Sequence, residues 1–343
     1  MNGSDRPTAV RTTDYHTAGE PFRIVADAPR LTASTVAEKR LEAMRSPEID
    51  GLRSLLCSEP RGHADMYGGF VVEPDDEGAD LGVLFWHSDG FSTACGHGTI
   101  ALGTWAVDTG RVPVDPSGTT EVVIDVPSGR VRCRVRTDAE GRVASAAFVN
   151  VPSFHLHSEV PVSTPAGTLR ASISCGGALY ASVKPLDLGL RVRPEDLPEL
   201  ITLGRQIKAA LETTEYAEHP TDPRINGIYG VIFAEDLGTD ADDNPVQRNV
   251  TVFADGQVDR SPCGSGTASR MATLAAAGRL HPANRLIHHS IIGSTFTGRI
   301  LAETEVHGCA AIVPEITGSA HLTGEHTFVV GPDDPLVPGF VLR

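Results

Sequence analysis

The sequence of 343 residues predicts an α+β fold made of two similar halves, in each of which strands wrap around one central helix. Two observations predict it. A short motif that begins with a cysteine occurs twice, and most of the remaining chain consists of short strand-like runs separated by turn residues. A chain of this length is also long enough for two domains.

The repeat is the most informative feature. Residues 95–112 read CGHGTIALGTWAVDTGRV and residues 263–280 read CGSGTASRMATLAAAGRL, so the Cys, two Gly, Thr and final Gly-Arg align without gaps. The offset of 168 residues (263 − 95) is close to half the chain. A pattern of six identical positions that includes Cys is improbable by chance, so we interpret it as a duplicated domain.

The duplication predicts where the chain divides. One domain comprises residues 1–156 together with 318–343 and carries Cys95. The other comprises residues 157–317 and carries Cys263.

Each copy has the same local order of elements. An apolar, strand-like run (81–86 or 249–253) is followed by a polar turn, the cysteine motif and a helix of small residues. Gly110 and Gly278 stand where a glycine commonly ends a helix. Each cysteine is therefore predicted at a helix N-terminus.

The other elements follow from shorter patterns. Residues 195–211 are predicted to form a helix with leucines along one side. Residues 237–247 are predicted to form an acidic surface loop, and residues 1–12 are predicted to be mobile. Further strands are predicted at residues 121–126, 131–135, 169–173, 179–183 and 310–316.

Composition excludes several classes of function. A net charge of −15 disfavours nucleic acid and anionic membranes as partners. The sequence has neither a signal-peptide pattern nor an apolar run of transmembrane length. Its six cysteines form no C-x-x-C pair, which argues against a zinc or thioredoxin-type site, and they are too sparse for a disulfide scaffold. We expect free thiols in the cytoplasm and no bound metal.

Two cysteines at helix starts suggest a specific chemistry. The free N–H groups and the dipole of a helix N-terminus favour a thiolate and bind a carboxylate without an arginine. If Cys95 and Cys263 face each other, one substrate carboxylate fits between them with a thiol on each face of its α-carbon. One thiolate could then remove a proton while the opposite thiol delivers one. No cofactor is needed, and neither repeat contains a lysine that could hold pyridoxal phosphate.

Other interpretations stay open. Buried cysteines are common as small apolar residues, which is our interpretation of the other four cysteines. A cysteine hydrolase could use Cys95 as nucleophile and His97 as base, although the second motif would then be unexplained. The chain could also be a binding module for proline-like carboxylates without activity. The remaining cysteines are at positions 57, 133, 175 and 309.

The motifs resemble the proline racemase family, which includes proline racemases, 4-hydroxyproline 2-epimerases and trans-3-hydroxy-L-proline dehydratases. The resemblance covers essentially the whole chain. The matching segments are HTAGEPFRIV (16–25), EPRGHADMYG (59–68), STACGHGTIA (92–101), VDRSPCGSGTAS (258–269), GSTFTG (293–298) and ITGSAHLTG (316–324).

The resemblance implies a diaminopimelate epimerase-like fold, with the active site between two pseudo-symmetric halves, and often a homodimer. It implies that Cys95 and Cys263 are the acid/base pair acting on proline or a hydroxyproline. His97 and Asp259 would lie beside the substrate nitrogen, and Tyr67 and Phe253 would line the ring pocket. The implied carboxylate-binding amides belong to Gly96, His97, Gly264 and Ser265.

Each of these residues also has a structural interpretation. His97 could cap or pack at the helix start, Asp259 could be an ordinary acid flanking a helix, and Phe253 could belong to the core. His63 has no assigned role.

Two departures from the family pattern bear on the substrate. The second motif reads CGSG instead of the common CGTG, which retains a hydroxyl. Tyr67 stands where proline racemases usually carry Phe, which suggests a hydroxyproline because a phenol can hydrogen-bond a substrate hydroxyl. Dehydratases of the family usually replace one catalytic cysteine by Thr or Ser. The presence of cysteine at both positions here favours racemisation or epimerisation. The RGHADMYG and FADGQVDRSP segments, however, resemble those of the dehydratases, so dehydration is the alternative.

Overall fold

The computed structural model describes residues 8–342, which form 18 strands and five α-helices. The helices are α1 (Val36–Arg45), α2 (Pro47–Cys57), α3 (Gly96–Asp108), α4 (Leu197–Glu212) and α5 (Gly264–Ala276). The strands are β1 (Thr8–Thr17), β2 (Glu20–Val25), β3 (Tyr67–Val72), β4 (Leu81–His87), β5 (Gly90–Phe91), β6 (Thr119–Val126), β7 (Gly129–Thr137), β8 (Val143–Val149), β9 (Ser153–Thr164), β10 (Gly167–Cys175), β11 (Leu179–Val183), β12 (Ile228–Thr239), β13 (Pro245–Phe253), β14 (Gln257–Asp259), β15 (Arg285–Ser290), β16 (Thr295–Val306), β17 (Cys309–Gly318) and β18 (Ala320–Val330).

All 18 strands belong to one continuous sheet, in which they pair in two similar arcs that we call the first and the second sheet. In the first sheet, β18, β1 and β2 are antiparallel, β2 and β3 are parallel, β3 and β4 antiparallel, β4 and β6 parallel, and β6, β7 and β8 antiparallel. In the second sheet, β9 to β11 are antiparallel, β11 and β12 parallel, β12 and β13 antiparallel, β13 and β15 parallel, and β15 to β17 antiparallel. The two sheets therefore repeat the same alternation of pairings.

The arcs join through β17, which pairs with both β8 and β9. Its pairing with β9 closes the second sheet into a ring, whereas β18 pairs with β1 and so returns the end of the chain to the first sheet. These pairings agree with an α+β architecture in two related parts. The domain boundaries given above stay a prediction.

The two central helices are buried in the way that the repeat predicts. Every residue from Gly96 to Val107 in α3 is buried, as are ten of the thirteen residues of α5. A helix that is buried all round needs small and apolar residues on every face, which both repeats supply. Gly110 and Gly278, which follow the helices, have φ of +69° and +65°, as expected of glycines that end helices.

Most of the predicted elements agree with the structure to within three residues, but two expectations are only partly met. The acidic surface loop predicted at residues 237–247 is limited to a largely exposed turn at residues 240–244, because β12 and β13 pair up to Thr239 and Pro245. Of the segment predicted to be mobile, residues 8–12 belong to β1, which is paired along its length with β18; residues 1–7 lie outside the described residues.

The structure also bears on a membrane location. Within residues 8–342, no helix is long and apolar enough to cross a membrane.

Candidate active site

The two central helices meet at their N-terminal ends. Cys95 is the N-cap residue of α3 and Cys263 that of α5. The backbones touch at the next residues: a Cβ atom added to Gly96 would lie 2.5 Å from the Cα of Gly264. Only glycine allows this approach. Both helix N-termini, with their free N–H groups, therefore face one small region between the sheets.

Cys95 lies inside this region. Its side chain is 5% exposed, and its Sγ accepts a hydrogen bond from the backbone N–H of Gly98 at 3.3 Å, so the thiol caps its own helix. Both ring nitrogens of His97 lie 3.5 Å from the same Sγ. The thiol is thus held between a helix amide and an imidazole.

The backbone of Cys263 adopts a different conformation. Its φ is +63°, which is unusual for a residue other than glycine, and its side chain makes no capping hydrogen bond to α5. Its N–H donates to the Ser261 Oγ at 3.0 Å. The two cysteines therefore occupy equivalent places in the repeat but are oriented by different local contacts.

A buried network fixes the peptide that precedes Cys263. The Pro262 carbonyl accepts hydrogen bonds from the Asn249 Nδ2 and the Thr267 Oγ1, both at 3.0 Å. The His288 ring closes the network, because its Nε2 lies 2.8 Å from the Asn249 Nδ2 and its Nδ1 lies 2.8 Å from the Thr267 Oγ1. Burial lowers the pKa of His288 to about 3, so the ring is neutral; Nε2 accepts and Nδ1–H donates.

The protonation of the thiols differs from the expectation for helix starts. Burial raises the pKa of both Cys95 and Cys263 well above the ordinary value of 9.0. The amide of Gly98 lowers the pKa of Cys95, but the neighbouring Asp259 carboxylate acts with burial to raise it. The prediction of an easily ionised thiol is therefore wrong here, because desolvation outweighs the helix amides.

His97 and Asp259 form a pair beside the thiols. The His97 Nδ1 lies 3.8 Å from the Asp259 Oδ2, and both side chains are less than 5% exposed. Burial lowers the pKa of His97, while Asp259 and the Pro21 carbonyl oppose that shift. The other Asp259 oxygen accepts hydrogen bonds from the Ser261 N–H and Oγ, at 2.8 and 2.7 Å. Asp259 therefore links the imidazole to the turn that carries Cys263.

Aromatic rings close one side of the region. The Tyr67 ring meets the His97 ring edge to face, with 4.9 Å between the ring centroids. It also contacts the Phe253 ring at a tilt, with 5.8 Å between the centroids. Phe253 stacks on Tyr229 at 5.8 Å. The Tyr67 hydroxyl lies 2.5 Å from the Ser92 Oγ and 2.8 Å from the Tyr229 hydroxyl, so three hydroxyl groups converge. On the other side, the Tyr180 hydroxyl lies 2.7 Å from the Ser265 Oγ and 4.0 Å from the Cys263 Sγ.

A charged cluster next to Asp259 joins the two sheets. Glu20 is fully buried and accepts a hydrogen bond from the Arg260 N–H at 2.7 Å. The Arg260 side chain pairs with Asp65 at 2.6 Å. Burial and the nearby Asp259 raise the pKa of Glu20 well above its usual value. Arg260 is 240 residues from Glu20 and 195 residues from Asp65 in the sequence. These contacts therefore join elements that are distant in the chain.

A cavity of about 420 Å³ borders the aromatic side of this region. Its lining includes Tyr229, His87 and Ser92, which also contact or belong to the aromatic wall. Within the described part of the chain, no group of three or more His, Cys, Asp or Glu side chains is arranged to hold a metal ion.

All nine residues that the sequence singled out lie in this one region. Phe253 belongs both to the core and to the aromatic wall, so the two interpretations of it are compatible. His63 accepts a hydrogen bond from the Asp65 N–H at 3.2 Å, which is a local turn contact. The residues brought together are Cys95, Cys263, Gly96, His97, Asp259, Gly264, Ser265, Tyr67 and Phe253.

Sequence reasoning missed Tyr180, Tyr229, Ser92, Glu20 and the contact between His288 and Asn249. The scarcity of tyrosine could have indicated some of these residues. The chain has only five tyrosines, and three of them, Tyr67, Tyr180 and Tyr229, belong to this site. Of the remaining cysteines, Cys57, Cys133 and Cys175 are buried, as expected of small apolar residues, whereas Cys309 is partly exposed.

Comparison with known proteins identifies the family. A family model described as proline racemase matches residues 12–341. A Burkholderia multivorans protein named 3-hydroxyproline 2-epimerase is 44% identical, and one of Burkholderia cenocepacia named trans-3-hydroxy-L-proline dehydratase is 43% identical; each match covers 98% of both chains.

Solved structures share the architecture. The crystal structure of a hydroxyproline epimerase from Agrobacterium vitis, with bound trans-4-hydroxy-L-proline, matches with a TM-score of 0.89 and 30% identity. The match covers 100% of this chain and 97% of that one. This chain therefore shares its α+β fold with a hydroxyproline epimerase, and it is an enzyme that belongs to the proline racemase family.

Proposed function

We propose that this enzyme inverts the α-carbon of a proline-type imino acid, with a 3-hydroxyproline as the leading candidate, by moving a proton between Cys95 and Cys263. One observation carries the proposal: both helix N-termini that meet at Gly96 and Gly264 carry a cysteine. The two-part fold then corresponds to the diaminopimelate epimerase-like arrangement, with the reaction between its parts.

The substrate carboxylate would bind at the two helix N-termini. The first N–H groups of a helix have no partner within the helix, and the dipole adds positive potential there. The amides of Gly96 and His97 in α3, and of Gly264 and Ser265 in α5, are the donors in this proposal. Charge that develops next to the carboxylate as the proton leaves would be stabilised by the same donors in a buried region.

The proton balance requires one thiolate and one thiol. The thiolate takes the α-proton from one face and becomes a thiol, leaving a planar carbanion. The opposite thiol gives its proton to the other face and becomes a thiolate. The protein therefore ends the turnover with the two protonation states exchanged, ready for the reverse reaction.

His97 and Asp259 would bind the ring nitrogen. Their contact at 3.8 Å and the 3.5 Å separation between His97 and the Cys95 Sγ support this role. Asp259 carries the negative charge that an imino-acid cation needs as a partner, and its other oxygen is already fixed by Ser261.

Three hydroxyl groups of the protein favour a substrate whose ring carries a hydroxyl group. Tyr67, Ser92 and Tyr229 converge on the aromatic side of the site, where they could hydrogen-bond a ring hydroxyl. The named relatives also favour a 3-hydroxyproline, since one is called a 3-hydroxyproline 2-epimerase and another a trans-3-hydroxy-L-proline dehydratase.

Dehydration of trans-3-hydroxy-L-proline is the second candidate. Several similar proteins carry that name. The RGHADMYG and FADGQVDRSP segments also resemble those of the dehydratases. The dehydration reaction needs a base on only one face of the α-carbon and an acid that assists the departure of the 3-hydroxyl group. A second cysteine opposite the first would then have no required role, which is why inversion is preferred.

A substrate panel distinguishes the candidates. The enzyme is incubated in D₂O with L-proline, trans-4-hydroxy-L-proline or trans-3-hydroxy-L-proline, and the α-proton and ring signals are followed by NMR. Epimerisation predicts loss of the α-proton signal and appearance of the 2-epimer with the hydroxyl retained. Loss of the 3-hydroxyl with formation of a cyclic imine would instead establish the dehydratase. Cys309→Ser, at a partly exposed thiol, is the matched control and should behave as wild type.

A further inference from the structure

A groove lined by four arginines crosses the outer surface where the two sheets join. Arg134 and Arg136 come from β7, Arg285 from β15 and Arg299 from β16, around a cavity of about 410 Å³. None of its lining residues belongs to the thiol site. Four cations around one cavity are unexpected in a chain whose net charge is −15.

The strand register explains why a groove forms there. Arg134 lies opposite Ala147, Ala147 opposite Thr317, and Thr317 opposite Thr297, in a row across four strands. After the arginine, every side chain in that row is small. Long arginine side chains therefore stand on both sides of a low floor, and the threonine hydroxyls on the floor supply further hydrogen-bonding groups.

One buried carboxylate holds two of the arginines in place. Glu315 is 4% exposed, and it pairs with Arg134 at 2.7 Å and with Arg299 at 2.6 Å. It neutralises one of these two positive charges, and the Glu121 Oε2 lies 3.8 Å from the Arg134 Nε as a second, more exposed acidic neighbour of Arg134. A guanidinium has five N–H donors, so both arginines retain donors for another acceptor. Glu315 therefore fixes cations from both sheets without satisfying them.

The other two arginines lack a compensating charge. Among residues 8–342, neither Arg136 nor Arg285 forms an ion pair with a carboxylate. Arg285 also lies directly opposite Arg299 on the neighbouring antiparallel strand. Like charges in this position destabilise a sheet. An anion in the groove would remove that repulsion.

We propose that the groove is a binding site for a small, multiply charged anion, such as a phosphate ester or a polycarboxylate. The planar fork of a guanidinium matches phosphate and carboxylate oxygens in pairs of hydrogen bonds. The bound anion contacts β7 of the first sheet and β15 and β16 of the second, and so bridges their junction.

Calorimetric titration of the full-length enzyme tests the site, with pyrophosphate and citrate as probes and sodium chloride at matched ionic strength as the blank. We expect one saturable site per chain. Arg136→Gln/Arg285→Gln should weaken binding by about tenfold or more, because each lost arginine removes a charge-assisted contact. Tighter binding of pyrophosphate or of citrate assigns phosphate or carboxylate as the preferred group.

The matched control is Arg45→Gln/Arg170→Gln, which removes the same charge from exposed positions outside the groove. It should bind like wild type. The groove variant should keep wild-type kcat and KM, and its unfolding temperature should not fall, since it relieves a repulsion between like charges. Equal weakening in both double variants, unchanged binding in the groove variant, or heats no larger than the chloride blank would overturn the proposal.

Discussion

Gly96 and Gly264 are in backbone contact across the junction of the two sheets, so that neither has room for a side chain. Each is the first residue of its central helix. The contact sets how closely the two helix N-termini approach, and through them the separation of the two thiols.

Substituting one of these glycines should disrupt the site more than the fold. In Gly264→Ala the new methyl group would meet the Gly96 backbone and push the helix ends apart. A displacement of about 1 Å can lower catalysis by about 100-fold, so we expect kcat/KM to fall at least that much. Steady-state kinetics and thermal unfolding measure the two effects.

Gly51→Ala is the control for that substitution. Gly51 is also a helical glycine, but a Cβ atom there meets nothing within 4 Å. Alanine should leave activity unchanged and raise the free energy of unfolding by up to about 1 kcal/mol. Wild-type activity in Gly264→Ala would contradict the importance of the contact.

Activity should depend on pH in the direction set by thiol burial. The charged form of a thiol is the thiolate, and burial disfavours it, which is why the pKa values of Cys95 and Cys263 are raised. Less thiolate therefore exists at pH 7 than for a free cysteine. We expect kcat/KM to increase as pH rises through the neutral into the alkaline range, before any fall when both thiols ionise.

Alkylation by iodoacetamide checks the same point without substrate. In a Cys309→Ser background, modification of Cys95 and Cys263 should be slow at pH 7 and accelerate with pH. The prediction would be contradicted if the alkylation rate and kcat/KM both levelled off below pH 7, because the thiols would then ionise easily.

Tyr67 should discriminate between substrates with and without a ring hydroxyl. Tyr67→Phe removes the hydroxyl that meets Ser92 and Tyr229. We expect kcat/KM for the hydroxylated substrate to fall by about tenfold relative to that for proline, the effect of one hydrogen bond. Tyr15→Phe is the control, because the Tyr15 hydroxyl contacts Asp108 at the C-terminal end of α3, away from Cys95. An unchanged ratio in Tyr67→Phe would remove Tyr67 from substrate selection.

The features that sequence reasoning predicted are mostly local. Cys95 and Cys263 each come with a helix start, flanking glycines and a preceding strand, so the motif itself indicates their placement. Duplication then indicates that the two copies are related in space. Most of the strands are similarly marked by turn residues at their ends.

The features that were missed depend on long-range packing. Tyr229 reaches Tyr67 across 162 residues, and His288 reaches Asn249 across 39, so no local pattern joins them. The thiol pKa was misjudged for the same reason. A helix start is visible in the sequence, whereas the burial that opposes its effect arises only when the two sheets close over the site.

Two-thiol inversion is tested most directly by following the α-proton in single-cysteine variants. In D₂O, each C2 epimer of the substrate is given to Cys95→Ser and to Cys263→Ser, and mass spectrometry and chiral chromatography measure exchange and inversion. Two-thiol inversion predicts that both variants lose inversion by several orders of magnitude, while each retains exchange with only the epimer whose α-proton faces its remaining thiol. Full inversion in either variant would contradict it.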